Sequence, residues 1–148
     1  MEQRLTMVTL GVRDLARSRA FYEQGLGWTL GGGVEGQVAF YQLGGLLLGL
    51  YGLEALAEDA KLELAPLAPG KSFGGITLAY NQPDKAAVDA TLKEAAAVGA
   101  TILKPAEEVF WGGYSGYFAD PDGHPWEVAF NPFWTLNDDG SVTLPKNG

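Results

Sequence analysis

Residues 111–132 read WGGYSGYFADPDGHPWEVAFNP, and the fold turns on how this stretch is interpreted. At its centre, Asp120-Pro121-Asp122-Gly123 is a strong turn signal. Proline presets φ for the second turn position, aspartate side chains bond to nearby backbone, and glycine accepts positive φ. Aromatic-rich runs on both sides make the stretch a β-hairpin. It carries the chain's one histidine, His124, and two of its four tryptophans, Trp111 and Trp126. On the second arm, Glu127 stands among Trp126, Val128, Ala129 and Phe130. A carboxylate in such a strand is costly unless it is paired, hydrogen-bonded or used. His124 directly follows the turn glycine and opposes Glu127 in strand parity, which suits a turn residue bonding to backbone or solvent.

Working outward, residues 75–80 (GITLAY) and 7–12 (MVTLGV) both alternate and align without a gap around Thr-Leu. Period two marks half-buried strands. Each is followed by an aspartate suited to cap a helix, Asp14 before 15–26 and Asp84 before 85–98. The first helix has a stripe of Leu15, Ser18, Phe21, Tyr22 and Leu26; the second has Ala86, Val88, Leu92, Ala95 and Ala96. Strands are then expected over 28–33, 37–43 and 46–51 in the first half. In the second half they are expected over 100–104, from 107 to 111 onward, and in the hairpin. The order β-α-β-β-β thus occurs twice. The fold class is α+β, with two βαβββ modules in a single domain spanning 1–148. Module one covers about 5–52, a linker with Pro66, Pro69 and Gly70 about 53–72, and module two about 73–132. Residues 133–148 form a terminal hairpin or arm around Asp138-Asp139-Gly140.

Composition narrows the partners. The 148 residues can bury a real core. A net charge of −8 without clustered Lys and Arg disfavours nucleic acid. With no cysteine, disulfides, thiolate metal sites and a cysteine nucleophile are excluded. The first residues lack the pattern of a signal peptide, and no apolar run approaches the ~18 residues of a membrane helix. The expected compartment is the cytoplasm, with no membrane partner.

Residues 8–28 (VTLGVRDLARSRAFYEQGLGW) and 116–132 (GYFADPDGHPWEVAFNP), with 75–80 and 98–105 (VGATILKP), resemble the vicinal oxygen chelate superfamily. That superfamily includes glyoxalase I, the bleomycin-resistance proteins and the extradiol dioxygenases. The paired words D-L-x-x-S-x-x-F-Y and D-P-D-G-H-x-x-E carry most of the resemblance. It implies two modules whose mixed sheets curve around a cup with helices outside. Val8, Leu10, Val12, Ile76, Leu78 and Tyr80 would face the helices, and Met7, Thr9, Gly11, Gly75, Thr77 and Ala79 the cup. It also implies a divalent metal held by one residue from the first and one from the last strand of each module. Those positions fall on Met7, Gly49, Gly75 and Glu127. Only Glu127 offers a donor suited to such an ion, since glycine has no side chain and a thioether is soft. No metal site and no cofactor are therefore expected, and one divalent ion is the alternative.

Apolar walls with a few convergent polar groups describe a small-molecule pocket. Trp111, Tyr114 and Glu127 are the foremost candidate ligand contacts, with Met7, Thr9, Tyr51 and Thr77 as further lining residues. Tyr41 is another aromatic candidate, and Trp111 to Tyr114 could serve as a gate. Cup-facing strands show no basic residue. Two functions remain open. One is a metal-independent protein of the bleomycin-resistance kind, holding an aromatic or cationic small molecule. The other is a glyoxalase-like lyase or dioxygenase-like enzyme using a metal ion, or Glu127 as general base. Glu127 could equally be structural, bonded to a tyrosine or a backbone N–H. The resemblance also implies a homodimer.

Overall fold

A computed structural model describes residues 1–3, 5–64, 73, 74 and 76–146. Gly75 and the Pro66-to-Gly70 stretch lie outside the described residues. The chain divides into two compact units, Met1–Ser72 and Phe73–Gly148.

In the first unit, β1 (Met7–Val12) leads to α1 (Leu15–Arg19), then to β2 (Gly32–Val34), β3 (Val38–Leu43) and β4 (Leu46–Gly52). The strands form one mixed sheet in the order β1-β4-β3-β2, with β1 parallel to β4. The second unit repeats the plan: β5 (Leu78–Asn81), a helix (Lys85–Ala97), β6 (Thr101–Glu108), β7 (Tyr114–Ala119) and β8 (Pro125–Phe130). Its sheet runs β5-β8-β7-β6, with β5 parallel to β8. Both units are thus α+β modules of the same topology. A seven-residue helix, α2 (Leu53–Asp59), follows β4, so the Lys85–Ala97 helix is α3. Strands β9 (Thr135–Leu136) and β10 (Val142–Thr143) close a small antiparallel hairpin around Asp138-Asp139-Gly140.

Alternation places the core. Leu10, Val12, Ala39, Tyr41, Leu48 and Leu50 are buried in the first unit, with Phe21, Tyr22 and Ser18 of the helical segment. Asp14 caps α1 through the Arg17 amide, and Asp84 caps α3 through the Ala87 amide. Of the α3 stripe, Val88, Leu92 and Ala95 are buried, whereas Ala86 and Ala96 are exposed.

Several boundaries differ from the sequence reading. The first helix does not run as an α-helix over 15–26; Ala20–Gly25 is π-helical, with the Leu26 amide reaching the Phe21 carbonyl. A π turn narrows the angle between consecutive residues, and here it sends both Phe21 and Tyr22 inward. Tyr22 is 0 % exposed and its ring lies 5.0 Å from that of Trp28 and 6.1 Å from that of Tyr41. Trp28, read as the start of a strand, is therefore a loop residue closing an aromatic cluster. Residues 101–108 form one strand with two register shifts, not two separate segments. Ile76 and Thr77 precede β5 and are exposed.

Tyr41 is 1 % exposed, which removes it as a ligand candidate. Its hydroxyl donates to Glu23 at 3.0 Å, and Arg19 grips the same carboxylate through Nε at 2.7 Å and Nη2 at 3.3 Å. The Arg19 bond is the first cause holding the Glu23 carboxyl below its usual range, with the Tyr41 bond adding to it against burial. The folded value lies below the unfolded one. The stabilisation is therefore complete above the ordinary carboxylate range and lost as pH falls through the lower, folded value. Glu23→Gln is expected to cost about 1–2 kcal/mol near neutral pH. The gap from the parent should close in acid. Thermal midpoints of both proteins between pH 7 and pH 2 check this, and a gap of constant size would refute the ionic origin.

Candidate functional site

The hairpin legible in the sequence is built by its own turn. The Asp120 amide donates to the His124 carbonyl at 3.0 Å, and the Gly123 amide donates to the Asp120 carbonyl at 2.9 Å, with Gly123 at φ 87°. The Asp120 carboxylate, in a residue only 4 % exposed, accepts the amides of Asp122 and His124 at 3.0 and 2.9 Å. His124 thus contributes its backbone to the turn.

This turn fixes the register Ala119↔Pro125, Tyr117↔Glu127 and Ser115↔Ala129. Paired residues share a face. Gly116, Phe118, Trp126 and Val128 lie on the face toward α3: a Cβ on Gly116 would meet Leu92 of that helix at 2.7 Å. Phe118 and Trp126 stack there with ring planes 5° apart. The opposite face carries Glu127, flanked by Ala79 of β5 and Tyr117 of β7.

Glu127 and Tyr117 are both half-buried. Burial first, then the negative charge of Glu127 and the hydrogen bond to it, hold the Tyr117 hydroxyl above the ordinary phenol range. The Tyr117 phenol thus stands directly across the ladder from the Glu127 carboxylate. Tyr117 is the partner that the sequence reading left unnamed. It was within reach: a hairpin turning at Asp120 to His124 pairs Glu127 with the residue three before Asp120.

Other predicted contacts are dispersed. Tyr114 lies on the α3 face, donates to Asp89 of that helix at 2.8 Å and has the Lys85 ammonium 5.8 Å from its ring centre. It is not beside Glu127, because it differs from Tyr117 by an odd number of strand positions. Trp111 folds back on its own turn, where its ring occupies the space a Cβ on Gly113 would need. The Val109 amide donates to the Gly113 carbonyl at 3.0 Å and the Gly112 amide to the Val109 carbonyl at 2.9 Å, so this segment is a bonded turn. Phe110 is fully exposed. Thr77 lies outside the β5 ladder and exposed.

In the first unit, Met7, Thr9 and Phe40 do come together. Their Sδ, Oγ1 and Cε1 atoms would lie 3.5, 3.2 and 3.4 Å from a Cβ placed on Gly49. Tyr51 pairs with Gly11 on the same face. A Cβ on Gly11 would meet Leu53 of α2 at 2.6 Å, so that helix covers this end of the face.

One basic residue was missed. Thr101↔Ala119 and Ile102↔Phe118 would continue to Leu103↔Tyr117, but a register shift puts Lys104 opposite Tyr117 instead. The face away from α3 therefore carries a transverse row, Ala79, Glu127, Tyr117, Lys104. Lys104 Nζ lies 3.2 Å from Glu107, which pairs with Ser115. An irregularity of this kind leaves little trace in sequence beyond Pro105.

These donors do not suit a catalytic divalent ion. Around Gly49 the nearest side chains offer a thioether, a hydroxyl and a ring, and on its own face Glu127 is flanked by Ala79 and a phenol. Among the described residues no three His, Asp or Glu side chains gather into a metal-holding group. Among the described residues, too, no helix is long and apolar enough to cross a membrane.

Comparison with known proteins agrees with this topology. A glyoxalase-related enzyme from Fulvimarina pelagi is 37 % identical, with 97 % of this chain and 99 % of that one covered at a TM-score of 0.85. A glyoxalase/bleomycin resistance protein/dioxygenase from Nocardioides is 25 % identical over 88 % of this chain and 84 % of that one, at a TM-score of 0.71. Lactoylglutathione lyase from Agrobacterium tumefaciens, 23 % identical over 93 % of this chain and all of that one, shares the fold at a TM-score of 0.68. No curated protein matches the chain. The model of the Glyoxalase/Bleomycin resistance protein/Dioxygenase superfamily matches residues 4–128, and this chain belongs to that superfamily.

Proposed function

We propose that this protein binds a cationic small molecule through Glu127, without a metal ion. The observation that carries this reading is the Glu127 carboxylate itself: half-buried, paired across the ladder with the phenol of Tyr117 and flanked on β5 by the exposed Ala79. A carboxylate has about four acceptor positions. A half-buried anion of this kind favours a cation as its partner. The Tyr117 ring adds a surface against which an aromatic or cationic group packs. The chain's charge of −8 raises the local concentration of cations and repels anions.

A 4-methylbenzylammonium probe tests the reading by calorimetry. Glu127→Gln keeps the shape and removes the charge, and binding is expected to weaken roughly 10- to 100-fold, the worth of a charged hydrogen bond. Unchanged affinity would sink the assignment. Stoichiometric Zn, Ni, Mn or Fe in gently purified protein would overturn metal independence.

The likeness to a glyoxalase-related enzyme favours a second reading, a lyase-like or dioxygenase-like catalyst. In that reading Glu127 serves as general base, with Tyr117 opposite it in the ladder.

A further inference from the structure

The row across the second sheet continues beyond Tyr117 to a positive charge. A regular ladder would place Leu103 opposite Tyr117; the register shift substitutes Lys104. Bulges re-aim side chains and concentrate beside functional sites. This one brings the Lys104 position into register with the acid–phenol pair. The row reads carboxylate, phenol, ammonium across β8, β7 and β6. With neighbouring strands about 4.8 Å apart, the backbone positions of the two charges are separated by roughly 10 Å.

Glu107 already pairs with Lys104, but their side chains are 62 % and 38 % exposed. Such a pair contributes little, because water screens it. The ammonium is therefore free to exchange Glu107 for a better-placed anion.

We propose that the ligand is an aromatic zwitterion, its cationic end on Glu127, its ring across Tyr117 and its anionic end on Lys104. The inference rests on the cation-binding reading above and adds the second charge. It replaces the expectation that no basic residue serves this face.

Two probes separate the two claims in the intact chain: 4-(aminomethyl)benzoate, which has both charges, and 4-methylbenzylamine, which has only the cation. The zwitterion is expected to bind about fivefold more tightly, the worth of one solvent-screened ion pair. Lys104→Met should abolish that preference. Glu107→Gln, by freeing Lys104, should widen it. Equal binding of the probes by the parent protein, or a preference that survives Lys104→Met, overturns the zwitterion and leaves the cation site standing. Failure of both probes to bind overturns both. Circular dichroism of each variant identifies any that has not folded, and Lys104→Gln, which keeps a polar side chain, serves in that case.

Discussion

Gly116→Ala is expected to destabilise the protein by about 3 kcal/mol, the upper part of the range for forcing atoms into a packed core. For a chain of this size that corresponds to a fall of roughly 10 °C in thermal midpoint. An added Cβ would meet the Ala106 amide nitrogen and the Lys104 carbonyl oxygen at 2.8 Å each, and Leu92 Cδ1 at 2.7 Å. The leucine can rotate. The two backbone atoms belong to the irregular stretch of β6 and can move only if that strand leaves the sheet. Gly116 also pairs with Val128, which is 0 % exposed, so β7 has no room to retreat toward β8. Gly45→Ala is the control, because a Cβ there meets nothing within 4 Å. Urea or thermal unfolding of both variants decides the matter. A Gly116→Ala midpoint as close to the parent's as that of Gly45→Ala would mean that β6 yields easily. The Lys104 placement would then lose its rigid support.

The legible and illegible parts of this molecule separate by the range of the interactions that set them. The DPDG turn, the Asp14 and Asp84 caps and the period-two strands are local, and the chain states them in consecutive residues. Their occurrence in both halves specifies the repeated β-α-β-β-β order, and the words around them point to the superfamily. Tyr117 needed one more step: pairing the two arms of a hairpin whose turn was already known. Lys104 needed knowledge of an irregularity in β6, and its face is opposite to the one that regular alternation allows. Strand parity also separates Glu127 from its nearest aromatic neighbours. Phe118 and Trp126 are close to Glu127 in sequence, yet strand parity turns them to α3, where they are 4 % and 7 % exposed. The π-helical turn after Arg19 likewise has no local signature. It follows from the demand that two successive aromatic residues both enter one core.

Asp120→Ala should cost about 3 kcal/mol as well, by a different mechanism with a different remedy. The carboxylate of this residue accepts two backbone amides, those of Asp122 and His124, inside the tightest part of the hairpin. Alanine leaves both donors without their acceptor, at about 1–3 kcal/mol apiece where water cannot replace it. Unlike the glycine variant, this one is repaired by a near-isostere. Asparagine retains an oxygen in the same place and is expected to recover more than half of the loss, since the amides need an acceptor rather than a charge. The register Tyr117↔Glu127 is set from this turn, three residues away on either side. Loosening it should therefore weaken 4-methylbenzylamine binding along with stability, although Asp120 is not one of the proposed contacts. Amide hydrogen exchange gives a local readout: protection at Asp122 and His124 should fall in Asp120→Ala and return in Asp120→Asn. Full protection at both amides in the alanine variant would show that the strand ladder alone holds the hairpin. In that case the carboxylate at its centre has no part in positioning Glu127.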